Sequence, residues 1–158
     1  MSRVSATSMG LLKRMMASTI ALASPHMREL GIRFVSVEHG IAVAVVSYRP
    51  ELVGDPTTGI LHGGVVTSLL DSTAGAAVFS ALPAPTPIAT LDLRIDYLRP
   101  STPEAALYAR VECYKLTHNI AFTRGTAYNV DEGDPVASMA ATFMLHTQAT
   151  RPAQGGDG

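Results

Sequence analysis

One segment sets most of the limits on how this chain can fold. From Gly63 to Ala81 the sequence reads GGVVTSLLDSTAGAAVFSA. At about 100° per residue, Val65, Val66, Leu69, Leu70, Ala76 and Ala77 gather on one side of a helix, and Gly64, Thr67, Ser68, Asp71 and Gly75 on the other. The proline-rich PAPTP at 83–87 ends it, because proline cannot continue a helix and keeps the preceding residue out of the helical region. Downstream the period changes to two: IATLDLRIDYLRP sets Leu91, Leu93, Ile95 and Tyr97 against Thr90, Asp92, Arg94 and Asp96. Three more strands are expected near Ala105 to Leu116, Ile120 to Val130 and Pro135 to His146, the last two joined by DEGD at 131–134. Upstream, Phe34, Val35, Val37, Ile41, Val43, Val45 and Tyr48 flank a Glu38-His39-Gly40 turn signal and predict a hairpin. Arg49 to Leu61, with Pro50, Gly54, Pro56 and Gly59, reads as an irregular loop into the helix. One apolar-faced helix and one antiparallel sheet bury both apolar faces only if the sheet curls around the helix, giving a two-layer α+β domain.

The 158 residues suit one such domain with a real core. Three segments are expected: a helical extension over 1–29, the α+β domain over 30–147, and a polar tail over 148–158, disordered and ending in QGGDG. In the extension, Arg3, Lys13 and Arg14 precede MMASTIALAS, which imitates a signal peptide. Leu11, Leu12, Met15, Met16, Thr19 and Ile20 also form one amphipathic stripe, shorter than a membrane span, so a helix docked on the domain is expected. A transit segment is the alternative, since no acid precedes Glu29.

A net charge of −1 with scattered basic residues argues against nucleic acid as a partner. Charged residues make up only 16% of the chain and apolar ones 47%, so part of the surface is expected to be hidden against other copies. Cys113 is the only cysteine, which excludes an internal disulfide and a cysteine-based metal cluster and fits a reducing, cytoplasmic setting. In its alternating stretch it reads as a small buried apolar residue.

The chemistry gathers on the long helix. Its N-terminus, at His62-Gly63-Gly64, offers unpaired amides and a partial positive charge, which stabilise an oxygen that becomes negative during reaction. Glycine there lets a substrate approach the backbone closely. Asp71, facing a cleft of small residues, supplies a carboxylate for use as nucleophile or as general base. The pair makes a minimal acyl-transfer site. Eight residues of helix hold Gly63 and Asp71 about 12 Å apart, too far to grip one carbonyl together. A two-fold axis that sets two such helices side by side brings Asp71 of one chain near Gly63 of the other, so a dimer is expected.

These residues are recognisable as a set. GILHGGVVTSLLD, with prolines upstream and ATLDLRIDYLRP downstream, resembles the hotdog-fold acyl-CoA thioesterases of the PaaI-like branch over about residues 30–146. The resemblance implies a long helix wrapped by an antiparallel sheet and homodimers often paired into homotetramers. It also implies hydrolysis of an acyl- or aryl-CoA thioester to the free acid and CoA, with no metal and no cofactor beyond the coenzyme A of the substrate. It makes Asp71 the catalytic carboxylate, the Gly63 amide the oxyanion donor, His62 the motif histidine that supports the helix start, and Thr90 a hydroxyl that helps position the attacking water. Asp55, Gly64 and Ser68 are the expected substrate-binding positions.

Asp55 departs from the pattern, because relatives commonly carry Asn there and an ionised acid accepts hydrogen bonds without donating any. That departure motivates a second reading, a module that binds acyl-CoA without hydrolysing it. A hotdog dehydratase or hydratase is a weaker third, since the paired acid and histidine of those enzymes are not found in their characteristic segments. His118, Asn119 and Arg124 are candidates for contact with the coenzyme but read as solvated surface groups. Phe79 and Leu82 are candidates for the acyl pocket, whose shape depends on the dimer.

Overall fold

A computed structural model describes residues 24–145. The apolar stripe at 11–20, the signal-like pattern and the 148–158 tail therefore lie outside the described residues. Helix α1, Pro25–Leu30, is short and defined by its ends. The Ser24 side chain accepts from the Met27 amide, Pro25 fills the first turn, and Gly31 takes the left-handed conformation that closes the helix. Met27 is buried and ties α1 to the core.

The chain then forms β1 (Arg33–Glu38), β2 (Ile41–Val46), a 3₁₀ turn (Pro50–Leu52), β3 (Val53–Asp55), β4 (Ile60–Leu61), α2 (Gly63–Ala81), β5 (Ile88–Tyr97), β6 (Leu107–Leu116), β7 (Ile120–Tyr128) and β8 (Ala137–Leu145). Six strands make one antiparallel sheet in the order β1-β2-β6-β7-β8-β5. The expected α+β architecture is the one observed, with α2 lying against the concave face of the sheet.

The residues under α2 explain how the sheet bends around it. Ala42, Ala44, Ala109, Ala121, Ala127, Ala137 and Ala141 face the helix, and their small volume lets the strands approach closely. Val65, Val66, Leu69, Leu70, Ala74, Ala77 and Val78 of α2 meet Val46, Leu107, Val111, Met139 and Phe143 to form the core. Gly125 marks the tightest point: a Cβ there would lie 2.4 Å from the Arg110 carbonyl oxygen.

Three polar side chains buried against α2 or within it, Thr73, Ser80 and Thr123, find partners. Thr73 donates to the Leu69 carbonyl and Thr123 to that of Ala141. Ser80 donates to the Ala77 carbonyl and accepts from the Gly40 amide, which fastens the β1–β2 turn to the end of α2.

The segment from Arg49 to Leu61 is more ordered than the sequence suggests. It holds the 3₁₀ turn and the small β3–β4 pair, which registers Val53 with Leu61 and Asp55 with Ile60. Strands of three and two residues are too short to show a period. Elsewhere the strand ends are trimmed: β6 starts at Leu107, β7 stops at Tyr128 and β8 starts at Ala137. Cys113 is half-buried rather than buried, and desolvation pushes its thiol above the ordinary range.

Strand β5 lies at one edge of the sheet. Its ten residues pair with β8 on one side only, and Leu91, Tyr97 and the following Leu98 are each more than half exposed.

Candidate active site

The start of α2 is built from its own motif. His62 is the N-cap, with extended backbone, and its Nδ1 accepts from the Gly64 amide at 2.9 Å. An amide only donates, so in the neutral ring the proton sits on Nε2. The His62 carbonyl takes the Val65 amide at 2.9 Å, and the His62 amide is anchored on the Leu52 carbonyl. Gly54 makes room for the histidine, since a Cβ there would sit 3.3 Å from the His62 Cα. With Gly64 and Val65 engaged, the Gly63 amide is the first-turn donor left without an acceptor among the described residues.

The Gly63 carbonyl is engaged instead. It accepts from the Tyr97 hydroxyl at 2.9 Å and from the Thr67 hydroxyl at 3.1 Å. Tyr97 stands at the far end of β5 and was not among the residues singled out from sequence. Only its place in an alternating strand was legible.

Two turns along α2, half-buried Asp71 lies on the open side of the helix. Thr90 of β5 donates to Asp71 Oδ1 at 3.0 Å, and Oδ2 has no partner among the described residues. A bulge at Leu91 shifts the β5 register immediately after Thr90, the kind of irregularity that re-aims a side chain. One turn before Asp71, Ser68 shares a hydrogen bond with His26 Nε2 of α1 at 3.0 Å. His26 was also missed, because a histidine in a six-residue helix far upstream carries no local signal. One turn beyond Asp71, a Cβ on Gly75 would meet only the Ile88 side chain, at 3.9 Å, so the helix surface there is open.

Asp55 closes its own turn, accepting from the Thr57 amide at 2.9 Å and the Thr57 hydroxyl at 2.7 Å. Those two bonds, the side-chain one foremost, hold its carboxyl below the usual range. No hydrogen bond joins Asp55 to Asp71, His62 or Thr90 among the described residues. Arg124 alternates with core-facing Thr123 and so lies on the sheet face away from α2. There it pairs with Glu112 at 3.2 Å and sits 5.1 Å from the Tyr114 ring centre. Asn119 lies in the β6–β7 turn, where its carbonyl accepts from the Leu145 amide, and His118 precedes it. Phe79 is half-buried on the last turn of α2, and Leu82 packs against the core at its end.

A glycine amide at a helix start, an acid two turns along and a strand hydroxyl holding that acid are parts suited to acyl transfer. The family model of the thioesterase superfamily matches residues 58–136, which include Gly63, Asp71, Thr90 and Tyr97. The chain belongs to the thioesterase superfamily. Among its relatives is the medium/long-chain acyl-CoA thioesterase YigI of Escherichia coli K12, 33% identical over 134 residues that cover 77% of this chain and 85% of that protein. A crystal structure of a Pseudomonas aeruginosa protein superposes with a TM-score of 0.77 at 36% identity, covering 84% of this chain and 98% of that one. The PaaI protein of the Escherichia coli phenylacetic acid degradation operon shares the hotdog fold, with a TM-score of 0.77 at 20% identity over 87% of this chain and 96% of that one. His26 and Asp55 lie outside the segment matched to the thioesterase superfamily.

Proposed function

We propose that the chain is an acyl-CoA thioesterase that acts as a homodimer. The observation that carries this reading is Asp71, an acid on the open side of α2 with one oxygen held by Thr90 and the other without a partner among the described residues. The thioester oxygen rests on the Gly63 amide of one protomer, and Asp71 comes from its partner. Asp71 Oδ2 takes a proton from water as the water oxygen bonds to the carbonyl carbon. The Gly63 amide stabilises the resulting oxyanion, and collapse breaks the C–S bond. The CoA thiolate recovers the proton from Asp71 and leaves as the thiol, with the acid as second product. Direct attack by Asp71 to form a mixed anhydride is the other route open to the same carboxylate. After a single turnover in ¹⁸O-labelled water, label in the protein identifies the anhydride route, through water attack on its aspartyl carbon, whereas general-base attack puts label in the acid alone.

Two features support the dimer. Gly63 and Asp71 lie in one helix, eight residues and about 12 Å apart, so one chain does not complete the site. The outer edge of β5, with exposed Leu91, Tyr97 and Leu98, suits antiparallel pairing with a second β5 across a two-fold axis. Pairing of two such dimers into a homotetramer belongs to the same reading, as do Gly64 and Ser68 lining the substrate and a cytoplasmic location. The reaction requires no metal and no redox cofactor.

Similarity to YigI points to medium or long acyl chains. The test is thiol release from a panel of acyl-CoAs running from acetyl to palmitoyl, with phenylacetyl-CoA added. Turnover that rises with chain length is the expected result. Release at the buffer rate on every member overturns the assignment, and tight acyl-CoA binding without release establishes the binding module instead.

Thr90→Val, which keeps the shape of the side chain and removes the hydroxyl, is expected to lower kcat about tenfold, the scale of one hydrogen bond to a charged group. A Thr90→Ser variant that recovers most of the rate ties the loss to the hydroxyl. Full activity in Thr90→Val contradicts that role.

A further inference from the structure

We propose that Tyr97 is a positioning residue for the oxyanion donor. Its hydroxyl and the His62 imidazole clamp the Gly63–Gly64 peptide from opposite sides and so hold the adjoining Gly63 N–H in one direction. The inference rests on the thioesterase reading and adds a residue to its site.

The need for a clamp follows from the sequence of the motif. Two consecutive glycines at a helix start sample more backbone conformations than any other pair, and the first turn has no preceding turn to hold it. A donor that stabilises a developing oxyanion works by being aimed before the charge appears. Something outside the helix ladder has to supply that order.

The Gly63–Gly64 peptide is held at both polar groups by side chains. Its N–H donates to His62 Nδ1 at 2.9 Å, and its carbonyl accepts from the Tyr97 hydroxyl at 2.9 Å and the Thr67 hydroxyl at 3.1 Å. The Tyr97 and Thr67 oxygens lie 3.3 Å apart, so the two hydroxyls converge on one carbonyl. Residue 63 is also fitted to this contact: a Cβ there would lie 3.2 Å from the Tyr97 hydroxyl oxygen, so the tyrosine rests on bare backbone.

Core packing does not account for the arrangement. Tyr97 is 53% exposed, and the contact spans 34 residues to reach a carbonyl at the cleft end of α2. The same strand holds the acid, since Thr90 donates to Asp71. Strand β5 thus orders both halves of the chemistry, the carboxylate through Thr90 and the amide through Tyr97.

The test compares wild type, Tyr97→Phe, Gly63→Ala and the double variant, with Asp71→Asn as control. Tyr97→Phe is expected to lower kcat about tenfold and to raise KM severalfold, since the aimed amide also meets the ground-state carbonyl. Two non-hydrolysable ligands separate aiming from general structure. One is a keto analogue of acyl-CoA, in which CH₂ replaces sulfur and the carbonyl is kept; the other is an alkyl-CoA thioether with no carbonyl. Tyr97→Phe is expected to weaken the first severalfold and leave the second unchanged. Gly63→Ala costs more in wild type than in Tyr97→Phe, because removing the hydroxyl relieves the contact with the new methyl.

Wild-type kcat in Tyr97→Phe, or equal loss of affinity for both analogues, overturns the proposal. If wild type and Asp71→Asn both release thiol only at the buffer rate, the thioesterase reading itself has failed and the clamp falls with it. Turnover that Asp71→Asn abolishes and Tyr97→Phe leaves intact overturns the clamp alone.

Discussion

Asp71→Asn abolishes thiol release from every acyl-CoA that the wild type hydrolyses, a loss of about a thousandfold or more, and leaves the melting temperature nearly unchanged. Asparagine keeps the size of the side chain and still accepts from the Thr90 hydroxyl, which in the native protein reaches Asp71 Oδ1 at 3.0 Å. It cannot take a proton from water, and its amide is no nucleophile. Because Asp71 is half-buried on the open side of α2 and contributes nothing to the core cluster, stability and activity separate cleanly at this position. Asp71→Ala, which also removes the Thr90 partner, gives the same loss. Steady-state assays together with thermal melts by circular dichroism make the measurement. A folded Asp71→Asn protein with more than a tenth of the wild-type rate contradicts the assignment.

Gly125 carries the opposite prediction, a large effect on stability at a position with no part in the chemistry. A Cβ at 125 would lie 2.4 Å from the Arg110 carbonyl oxygen and 2.9 Å from the Val111 Cα. Both are backbone atoms of β6, so no rotamer change relieves the overlap. The β6–β7 ladder, where Gly125 registers opposite Val111, has to open instead. Gly125→Ala is expected to cost about 3 kcal/mol, at the upper end of overpacking effects, and to lower the melting temperature by about 10 °C. Gly125→Val, with two further methyl groups, prevents folding. Thermal melts of the alanine variant check the first claim and soluble yield of the valine variant the second. A Gly125→Ala protein that melts with the wild type refutes this account of the bend.

Much of the molecule was legible in advance because its signals are local. The apolar stripe from Val65 to Ala77 and the prolines after Ala81 delimit α2, which ends where Leu82 caps the last turn. Alternation of apolar and polar residues marks β5 to β8, and the strands differ from expectation by only a few residues at their ends. The short β3–β4 pair was hidden, since tertiary contacts such as that of Gly54 with His62 hold it rather than any periodicity. Asp55 shows the same limit. Its motif position suggested a place against the substrate, and only the structure shows that one oxygen of its carboxylate, Oδ1, also closes the Thr57 turn.

Sequence by itself determined the fold class, because helix and strand periods are written within a few residues and proline and glycine punctuate them. It also marked Gly63 and Asp71, whose types suit acyl transfer and whose spacing along one helix is fixed by the rise per residue. Only the tertiary structure joined Thr90 to Asp71, Tyr97 to Gly63 and His26 to Ser68, pairs 19, 34 and 42 residues apart. No local rule reaches across such separations. Those contacts exist because the sheet, lined with alanines, curls closely enough around α2 to bring β5 along one flank of it, while buried Met27 seats α1 in the core beside it.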